Sequence, residues 1–368
     1  MMAETSMTAS IDHLKMVILD PTLPKDVKIL KKIGEFPNIL ILDRLKNQVA
    51  ELIKLRNPTR NFSPADLEQE VEIFLLREGG VLYGNWVFYP WRNCLVRVLP
   101  ENDFVAVRTA RNRFKITDAE QELLKGKKIG IIGLSVGQSV ALGLAMERTC
   151  GEIRIADFDS LELSNMNRIR AGIADLGLLK AELVYRQIAE LDPYLKVKVY
   201  EEGITMDNMD SFFMEGGKLD LLIEECDSLD MKIASRLKAK SLQVPVLMDT
   251  SDRGMVDIER YDVAPELPLL NGLLTPLGSE SDILKNYPGN KPQLLSCILD
   301  FDQLSERAKY SISQIGKTIT NWPQLASSVV LGGGICTHYA REILCGKNIA
   351  SGRIYFDLDE IEKSRHES

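Results

Sequence analysis

The chain has 368 residues, 45% of them hydrophobic and 27% charged, which is typical of a globular protein long enough for two domains. Its net charge of −8 argues against a general nucleic-acid-binding protein, which would normally carry a basic excess. No basic region followed by an apolar run opens the sequence, so we expect a cytoplasmic protein without a secretory signal. The 6 cysteines form no Cys-x-x-Cys pair, which predicts free thiols and no zinc site of four cysteines.

Residues 1–105 are predicted to form a small α/β N-terminal domain. Ser63 followed by Pro64 and Asp66 is a favourable helix start, with a capping hydroxyl, a proline in the first turn and an acid at the positive end of the helix dipole. Strands are predicted at Lys15–Asp20, at Asn38–Asp43 and within the aromatic segment Gly80–Leu99, and helices at Lys25–Ile33, at Leu45–Leu55 and after Ser63.

Residues 106–368 show a different pattern, in which strands alternate with helices. Predicted strands are Lys128–Gly133, Glu152–Asp157, Lys196–Glu201, Leu219–Glu224, Val244–Asp249, Asp257–Val263 and Gly352–Leu358. Predicted helices are Gly137–Glu147, Lys180–Leu191, Leu229–Ser241, Gln303–Ile312 and Leu325–Cys345, and a proline- and glycine-rich loop is predicted from Ala264 to about Leu295. This alternation predicts a Rossmann-like, mainly parallel sheet flanked by helices.

The turn Gly133-Leu134-Ser135-Val136-Gly137 lies between a predicted strand and a predicted helix and has two interpretations. It is an irregular form of the glycine-rich loop that brings backbone N–H groups to phosphates at a helix N-terminus. It also matches the Gly-x-Ser-x-Gly nucleophile elbow of α/β-hydrolases. The apolar run Ile129–Met146 is long enough to suggest a membrane span, but its glycines and polar residues favour a buried strand, turn and helix.

The hydrolase interpretation requires a histidine downstream of the serine. Only His338 and His366 follow it. His338 lies in a predicted apolar helix and His366 in a charged tail that we expect to be disordered, so neither is a strong candidate for a catalytic base. The sequence therefore favours a phosphate-binding turn.

Polar residues downstream of the turn suit a nucleotide. Asp157 ends the next strand, where an acid can bind ribose hydroxyls, and Asp159 follows it. Arg168 and Lys180 are cations able to neutralise phosphates, and Asp227 follows another apolar strand and could hold Mg²⁺. Two cations and a metal-binding acid suit an ATP undergoing attack more than a hydride carrier.

Several motifs follow one another along the chain: the glycine turn, Asp157-Phe158-Asp159, Ser164-Asn165-Met166-Asn167-Arg168, Lys180 and Glu225-Cys226-Asp227-Ser228. This ordered set resembles the ThiF/MoeB superfamily of ubiquitin-activating-type adenylating enzymes. The resemblance covers about residues 108–358. The arrangement of the whole chain is similar to that of a poorly characterised bacterial ThiF-type subgroup with an extra N-terminal module. It implies ATP- and Mg²⁺-dependent adenylation of a carboxylate with release of pyrophosphate.

The same resemblance implies roles for individual residues. The backbone of Gly133, Ser135 and Gly137 would face the phosphates, Asp157 and Asp159 would lie at the nucleotide, and Asp227 would bind Mg²⁺. Asn165, Arg168 and Lys180 would hold the triphosphate, and Arg111 would reach it from an upstream basic segment that often belongs to the second subunit of a homodimer. The acceptor would be a small molecule, a modified tRNA base, or the C-terminus of a ubiquitin-like or sulfur-carrier protein.

Some features depart from the family pattern. The turn is irregular and the Cys-x-x-Cys pairs that bind zinc in many relatives are absent, so no zinc is expected. No thioester-forming cysteine is evident, although Cys297 lies where one can occur. A non-catalytic nucleotide-binding or regulatory module and an NAD(P)- or FAD-linked enzyme remain as alternative functions.

Overall fold

The structure is a computed structural model and describes residues 15–286, 289 and 291–367. The chain forms two compact units, Met1–Asp118 and Ala119–Ser368, and each is described below by itself. Among the helices in the described ranges, none is both long enough and apolar enough to cross a membrane.

The first unit is built on a four-stranded mixed sheet in the order β1-β3-β4-β2. Its strands are β1 (Val17–Leu19), β2 (Leu40–Asp43), β3 (Asn85–Tyr89) and β4 (Cys94–Val98), and its helices are α1 (Pro24–Gly34), α2 (Leu45–Arg56), α3 (Pro64–Arg77) and α4 (Glu101–Arg108). Helix α3 begins as predicted, because the Ser63 hydroxyl accepts a hydrogen bond of 3.2 Å from the Asp66 N–H.

Two apolar clusters stabilise this sheet and its helices. One contains Leu45, Val49 and Leu52 of α2, which are 0–1% exposed. The other joins Ile33 of α1 to Phe88 of β3. The aromatic residues of the predicted hairpin thus contribute to a core, as their alternation along the strand indicates.

The second unit contains a seven-stranded sheet in the order β11-β10-β9-β8-β5-β6-β7. Its strands are β5 (Lys128–Ile132), β6 (Glu152–Ala156), β7 (Lys196–Tyr200), β8 (Leu221–Glu224), β9 (Val246–Asp249), β10 (Met255–Glu259) and β11 (Gly352–Tyr355). Its helices are α5 (Asp118–Lys125), α6 (Gly137–Glu147), α7 (Lys180–Leu191), α8 (Met209–Met214), α9 (Leu229–Ser241), α10 (Glu280–Asn286), α11 (Lys291–Leu299), α12 (Glu306–Gln314), α13 (Ala326–Leu344) and α14 (Leu358–Glu367).

Strands β5–β9 run parallel, and β10 and β11 complete the sheet in antiparallel pairs. Every residue of β6, β8 and β9 is buried, because helices cover both faces of the sheet. The predicted α/β fold with a mainly parallel sheet is confirmed. The chain leaves β5 toward β6 and returns on its other side at β8, so the strand order reverses at β5.

The prediction of a loop from Ala264 to about Leu295 was wrong. Helix α10 lies within that segment and α11 begins there. Ile283, Leu294 and Ile298 are 1–5% exposed and belong to the large apolar cluster of the second unit. Proline and glycine are local signals, whereas burial against this cluster stabilises the short helices. Residue 366 likewise lies in α14 rather than in a disordered tail.

Candidate functional site

The candidate site lies at the carboxyl ends of β5, β6 and β8, where the strand order reverses. In open α/β sheets a crevice forms at such a reversal, because the connections leave the edge in opposite directions. The glycine turn follows β5, Asp157 follows β6 and Asp227 follows β8. The fold therefore brings residues from distant parts of the chain to one edge.

The glycine turn is held close against the neighbouring strand end. Gly133 has φ +85°, and a Cβ there would lie 2.5 Å from the carbonyl oxygen of Glu225. Its N–H donates to Ala156 at 2.9 Å. Gly137 opens α6, and a Cβ at this position would lie 2.9 Å from Ile131 Cγ2. Both glycines are thus required by close packing, although the loop departs from the usual spacing.

Asp157 links the turn to the strand beside it. Its Oδ2 accepts a hydrogen bond of 2.7 Å from the Leu134 N–H, and its Oδ1 accepts one of 2.8 Å from the Asp159 N–H. Burial raises the pKa of Asp157, and the two backbone hydrogen bonds and Lys180 oppose that increase. Each carboxylate oxygen can accept a second hydrogen bond, so both remain able to bind a ligand hydroxyl.

Lys180 and Asp159 form an ion pair at the site. The Lys180 Nζ lies 2.8 Å from Asp159 Oδ2, and the Lys180 backbone N–H donates to the Asp159 carbonyl at 2.8 Å. The lysine side chain is 7% exposed, whereas that of Asp159 is 54% exposed. Lys180 is therefore a nearly buried cation whose position is fixed at the start of α7.

Arg168 contacts the glycine turn directly. Its Nε and Nη2 donate to the Ser135 hydroxyl at 3.2 and 2.9 Å. Burial lowers the pKa of Arg168, and the carboxylate of Asp227 raises it. Asp227 itself is exposed and follows β8. Ser135 thus orients a cation at the turn, and its predicted contact with phosphate stays a prediction.

Asn165 and Arg111 are two further residues of the predicted site. The Asn165 side-chain oxygen accepts from the Glu162 N–H at 3.0 Å and so caps the short turn that precedes Arg168. Its contact with a triphosphate stays a prediction. Arg111 lies in the first unit, in the 3₁₀ turn Ala110–Asn112, and its role also stays a prediction.

Gln138 is a supporting residue that the sequence analysis did not select. It is 2% exposed, its Nε2 donates to the Arg170 carbonyl at 2.9 Å, and its Oε1 accepts from the Arg170 N–H at 2.8 Å. This double hydrogen bond fixes the loop that carries Arg168 onto α6. No local pattern in the sequence could reveal it, because 32 residues separate the partners.

The hydrolase interpretation is not supported by the contacts of its serine and histidine. Ser135 is bonded to a guanidinium, and His338 is an exposed residue of α13 whose Nδ1 lies 3.0 Å from Arg341 Nη2. A nucleophilic serine would need an imidazole as its hydrogen-bond partner.

Cys226 and Cys297 are the two cysteines that the sequence analysis considered for the predicted chemistry or that adjoin Asp227. Burial raises the pKa of Cys226, and Glu224 raises it further. Cys297 lies on α11 and packs, half-buried, against the large apolar cluster. Reactive cysteines usually lie beside cations that stabilise the thiolate. The role of Cys297 as a thioester-forming residue stays a prediction.

The sequence of this chain is similar to one known protein family and to several proteins. The model of the ThiF family matches residues 109–341. An uncharacterised protein of Mycobacterium tuberculosis, MT1398, is 40% identical over 333 residues, which are 90% of this chain and 44% of the relative. The tRNA threonylcarbamoyladenosine dehydratase of Bacillus subtilis is 26% identical over 42% of this chain and 61% of the relative. This chain thus spans less than two thirds of either relative.

Among solved structures, the Escherichia coli tRNA N6-threonylcarbamoyladenosine dehydratase TcdA, in complex with ATP, matches with a TM-score of 0.47 and 18% identity. The match covers 67% of this chain and 98% of that one. The family model covers more than half of the residues of this chain, including every element that forms the candidate site. The chain belongs to the ThiF family.

Proposed function

We propose that this chain catalyses the ATP-dependent adenylation of a carboxylate. One observation carries the proposal. The glycine turn, the carboxylate of Asp157 and the cations Arg168 and Lys180 lie at the edge of the sheet where the strand order reverses. Asp157 binds the backbone of the turn, Arg168 binds its serine, and Lys180 begins the adjacent helix. This combination suits a nucleoside triphosphate, which offers ribose hydroxyls to an acid and phosphates to cations and backbone N–H groups.

In the proposed reaction, a carboxylate oxygen of the substrate attacks the α-phosphorus of ATP. A new P–O bond forms as the bond to the β-phosphate breaks, which gives an acyl-adenylate and pyrophosphate. Both reactants are anions, so the protein must offset their repulsion. Arg168 and Lys180 supply positive charge at fixed positions, and a nearly buried cation acts more strongly than a solvated one.

The residues also fit a magnesium ion. Asp227 is an exposed carboxylate that follows β8, at the edge of the sheet where the glycine turn lies. Mg²⁺ in nucleotide sites is commonly held by one or two carboxylates together with phosphates and water. When bound, the ion would neutralise charge on the leaving pyrophosphate. We assign Asp227 as its ligand.

The acceptor that we propose is the C-terminal carboxylate of a ubiquitin-like or sulfur-carrier protein. A modified tRNA base is the second candidate, because one relative is named a tRNA threonylcarbamoyladenosine dehydratase. We further propose a homodimer in which Arg111 of one subunit reaches the phosphates of the other. Light scattering of the purified chain would test the dimer.

Nucleotide binding tests the first part of the proposal. We expect ATP with Mg²⁺ to raise the melting temperature of the protein and NAD to leave it unchanged. Lys180→Ala should abolish the shift, because it removes a nearly buried cation. Lys125→Ala is the matched control, since Lys125 is 55% exposed and ends α5. Absence of any ATP-dependent shift in the wild-type protein would overturn the proposal.

Turnover tests the second part. Exchange of labelled pyrophosphate into ATP should depend on the acceptor, so it is measured with ubiquitin-like proteins ending in Gly-Gly and, separately, with total tRNA. ATP binding without exchange in either assay would favour the non-catalytic alternative. A shift with NAD that exceeds the shift with ATP would favour the nicotinamide-linked alternative.

A further inference from the structure

Glu225, Asp249 and Cys336 meet in the second unit, although they lie far apart in sequence. Glu225 follows β8, Asp249 ends β9 and Cys336 lies on α13. One oxygen from each carboxylate and the Cys336 Sγ all lie within 4.8 Å of one another. The three side chains therefore form a compact cluster of one sulfur and two oxygen donors.

The fold places these residues together through strand alternation and a close helix contact. Successive side chains at a strand end point to opposite faces of a sheet. Glu224 thus meets Lys232 and Arg236 on one face, whereas Glu225 turns toward the face that α13 covers. Helix α13 approaches so closely that a Cβ at Gly332 would lie 2.0 Å from Asp249 Oδ2.

Among the described residues, the two carboxylates of this cluster have no cationic partner like those of Glu224, which pairs with Lys232 and Arg236. Asp249 is 4% exposed and Cys336 is 0% exposed. Within the described part of the chain, Asp249 and Glu225 form no ion pair, and Asp249 Oδ2 has no hydrogen-bond partner. Burying a carboxylate without a partner is unfavourable, so such groups usually bind a cation or become protonated.

The remaining donors are already oriented. The Cys336 thiol donates a hydrogen bond to Asp249 Oδ1 over an S···O distance of 3.7 Å, and Glu225 Oε1 accepts a hydrogen bond of 2.8 Å from the Asp249 N–H. In a tetrahedral zinc site, bond lengths of about 2.3 Å to sulfur and 2.0 Å to oxygen separate these two ligand atoms by roughly 3.5 Å. The observed separation is close to that value. Glu225 is partly exposed, whereas Asp249 and Cys336 are buried.

We propose that Glu225, Asp249 and Cys336 bind one divalent cation of the zinc type, with water as the fourth ligand. A thiolate favours zinc over magnesium, because magnesium prefers ligands that are all oxygen. The ion joins the ends of β8 and β9 to α13. It also lies beside the start of α6, since a Cβ at Gly137 would be 3.8 Å from Glu225 Cγ. The ion would therefore stabilise the position of the glycine turn and the start of α6 in the candidate nucleotide site.

This site is separate from the magnesium site assigned to Asp227, which is not one of the three ligands. The proposed ion departs from the expectation of no zinc, which stays a prediction. That expectation considered pairs of cysteines with short spacing, whereas 24 residues separate Glu225 from Asp249 and 87 residues separate Asp249 from Cys336.

Metal titration without nucleotide tests the proposal on tag-free protein that has been stripped with a chelator. One equivalent of Zn²⁺ should bind and raise the melting temperature. Co²⁺ should give a thiolate charge-transfer absorption in the near ultraviolet, which reports ligation by sulfur. Cys336→Ser should abolish this absorption, and Asp249→Asn and Glu225→Gln should each weaken Zn²⁺ binding more than tenfold.

Two controls separate this site from other effects. Cys150→Ser removes a cysteine that is also 0% exposed and should leave the Co²⁺ spectrum unchanged. Asp227→Asn should do the same, because that residue belongs to the proposed magnesium site. Failure of the wild-type protein to bind either metal would overturn the proposal even if a variant misfolds. A Co²⁺ spectrum that survives in folded Cys336→Ser would also overturn it.

Discussion

Arg168 donates two hydrogen bonds to the hydroxyl of Ser135, from Nε at 3.2 Å and from Nη2 at 2.9 Å. The contact joins a loop cation to a turn that lies 33 residues earlier in the chain. It assigns a structural role to the serine of the irregular turn. The serine orients the guanidinium, where the usual loop has a second glycine.

Ser135→Ala should weaken ATP binding, because Arg168 then loses its anchor on the turn. Hydrogen bonds to charged groups contribute about 1.5–3 kcal/mol, so we expect ATP affinity to fall by roughly ten- to a hundredfold. Isothermal titration calorimetry measures the change. Ser313→Ala is the control, since the Ser313 hydroxyl is exposed, donates to the Tyr310 carbonyl and accepts from Gln314 Nε2.

A double-mutant cycle shows whether the serine acts through the arginine. Arg168→Met alone should weaken ATP binding strongly, and adding Ser135→Ala should cause little further loss. The expected coupling energy is about 1 kcal/mol or more. Additive effects of the two substitutions would mean that Ser135 contacts the nucleotide independently.

Gly133→Ala should destabilise the second unit by roughly 3 kcal/mol. The residue has φ +85°, and the new Cβ would lie 2.5 Å from a backbone oxygen that cannot move freely. Gly334→Ala is a matched control in α13, because a Cβ at that position meets nothing within 4 Å. It should stabilise the helix by about 0.5–1 kcal/mol. Urea unfolding measures both, and equal effects would contradict the packing argument.

Glu152→Gln should lower the free energy of unfolding by about 2 kcal/mol at neutral pH. The carboxylate is 3% exposed and binds Arg154 at 2.8 Å and Lys196 at 2.7 Å. Burial raises the pKa of Glu152, but Lys196 and Arg154 together lower it by more, so the net pKa lies below the ordinary value of 4.5.

The pH dependence follows from that direction. A carboxyl whose pKa is lower in the folded state contributes stability above its ordinary pKa and loses it as the pH falls through the folded value. The difference between wild type and Glu152→Gln should therefore be full at pH ~7 and shrink below pH ~4.5. Urea unfolding across this range tests it, with Glu201→Gln as an exposed control. A difference that grows in acid would contradict the assignment.

Arg111→Ala should lower the rate of ATP–pyrophosphate exchange about 100-fold while ATP binding changes little. Loss of a donor that acts mainly in the transition state typically has an effect of this size. Arg113→Ala is the matched control, because that guanidinium already pairs with Asp118 at 3.0 Å. We expect the exchange rate of this variant to differ from that of the wild type by less than about twofold, because exposed ion pairs contribute little free energy. Equal losses in both variants would remove Arg111 from the proposed chemistry.

Local patterns in the sequence determined most regular elements of the second unit. The predicted helices Gly137–Glu147, Lys180–Leu191 and Leu229–Ser241 have the same bounds in the structure. Their helical apolar spacing and their alternation with short apolar strands are short-range signals, and these also predicted the parallel sheet. Asp157 and Asp227 were predicted because they follow such strands, and the order of the site motifs along the chain indicated the family.

Only the tertiary structure decided which of these side chains touch. The Ser135–Arg168 contact, the two hydrogen bonds between Gln138 and Arg170, and the cluster of Glu225, Asp249 and Cys336 each join distant positions. Such pairings depend on strand order and on how closely a helix approaches the sheet, and no spacing rule contains either. Helices α10 and α11 show the same limit, because burial against the large apolar cluster overrides a local composition typical of a loop.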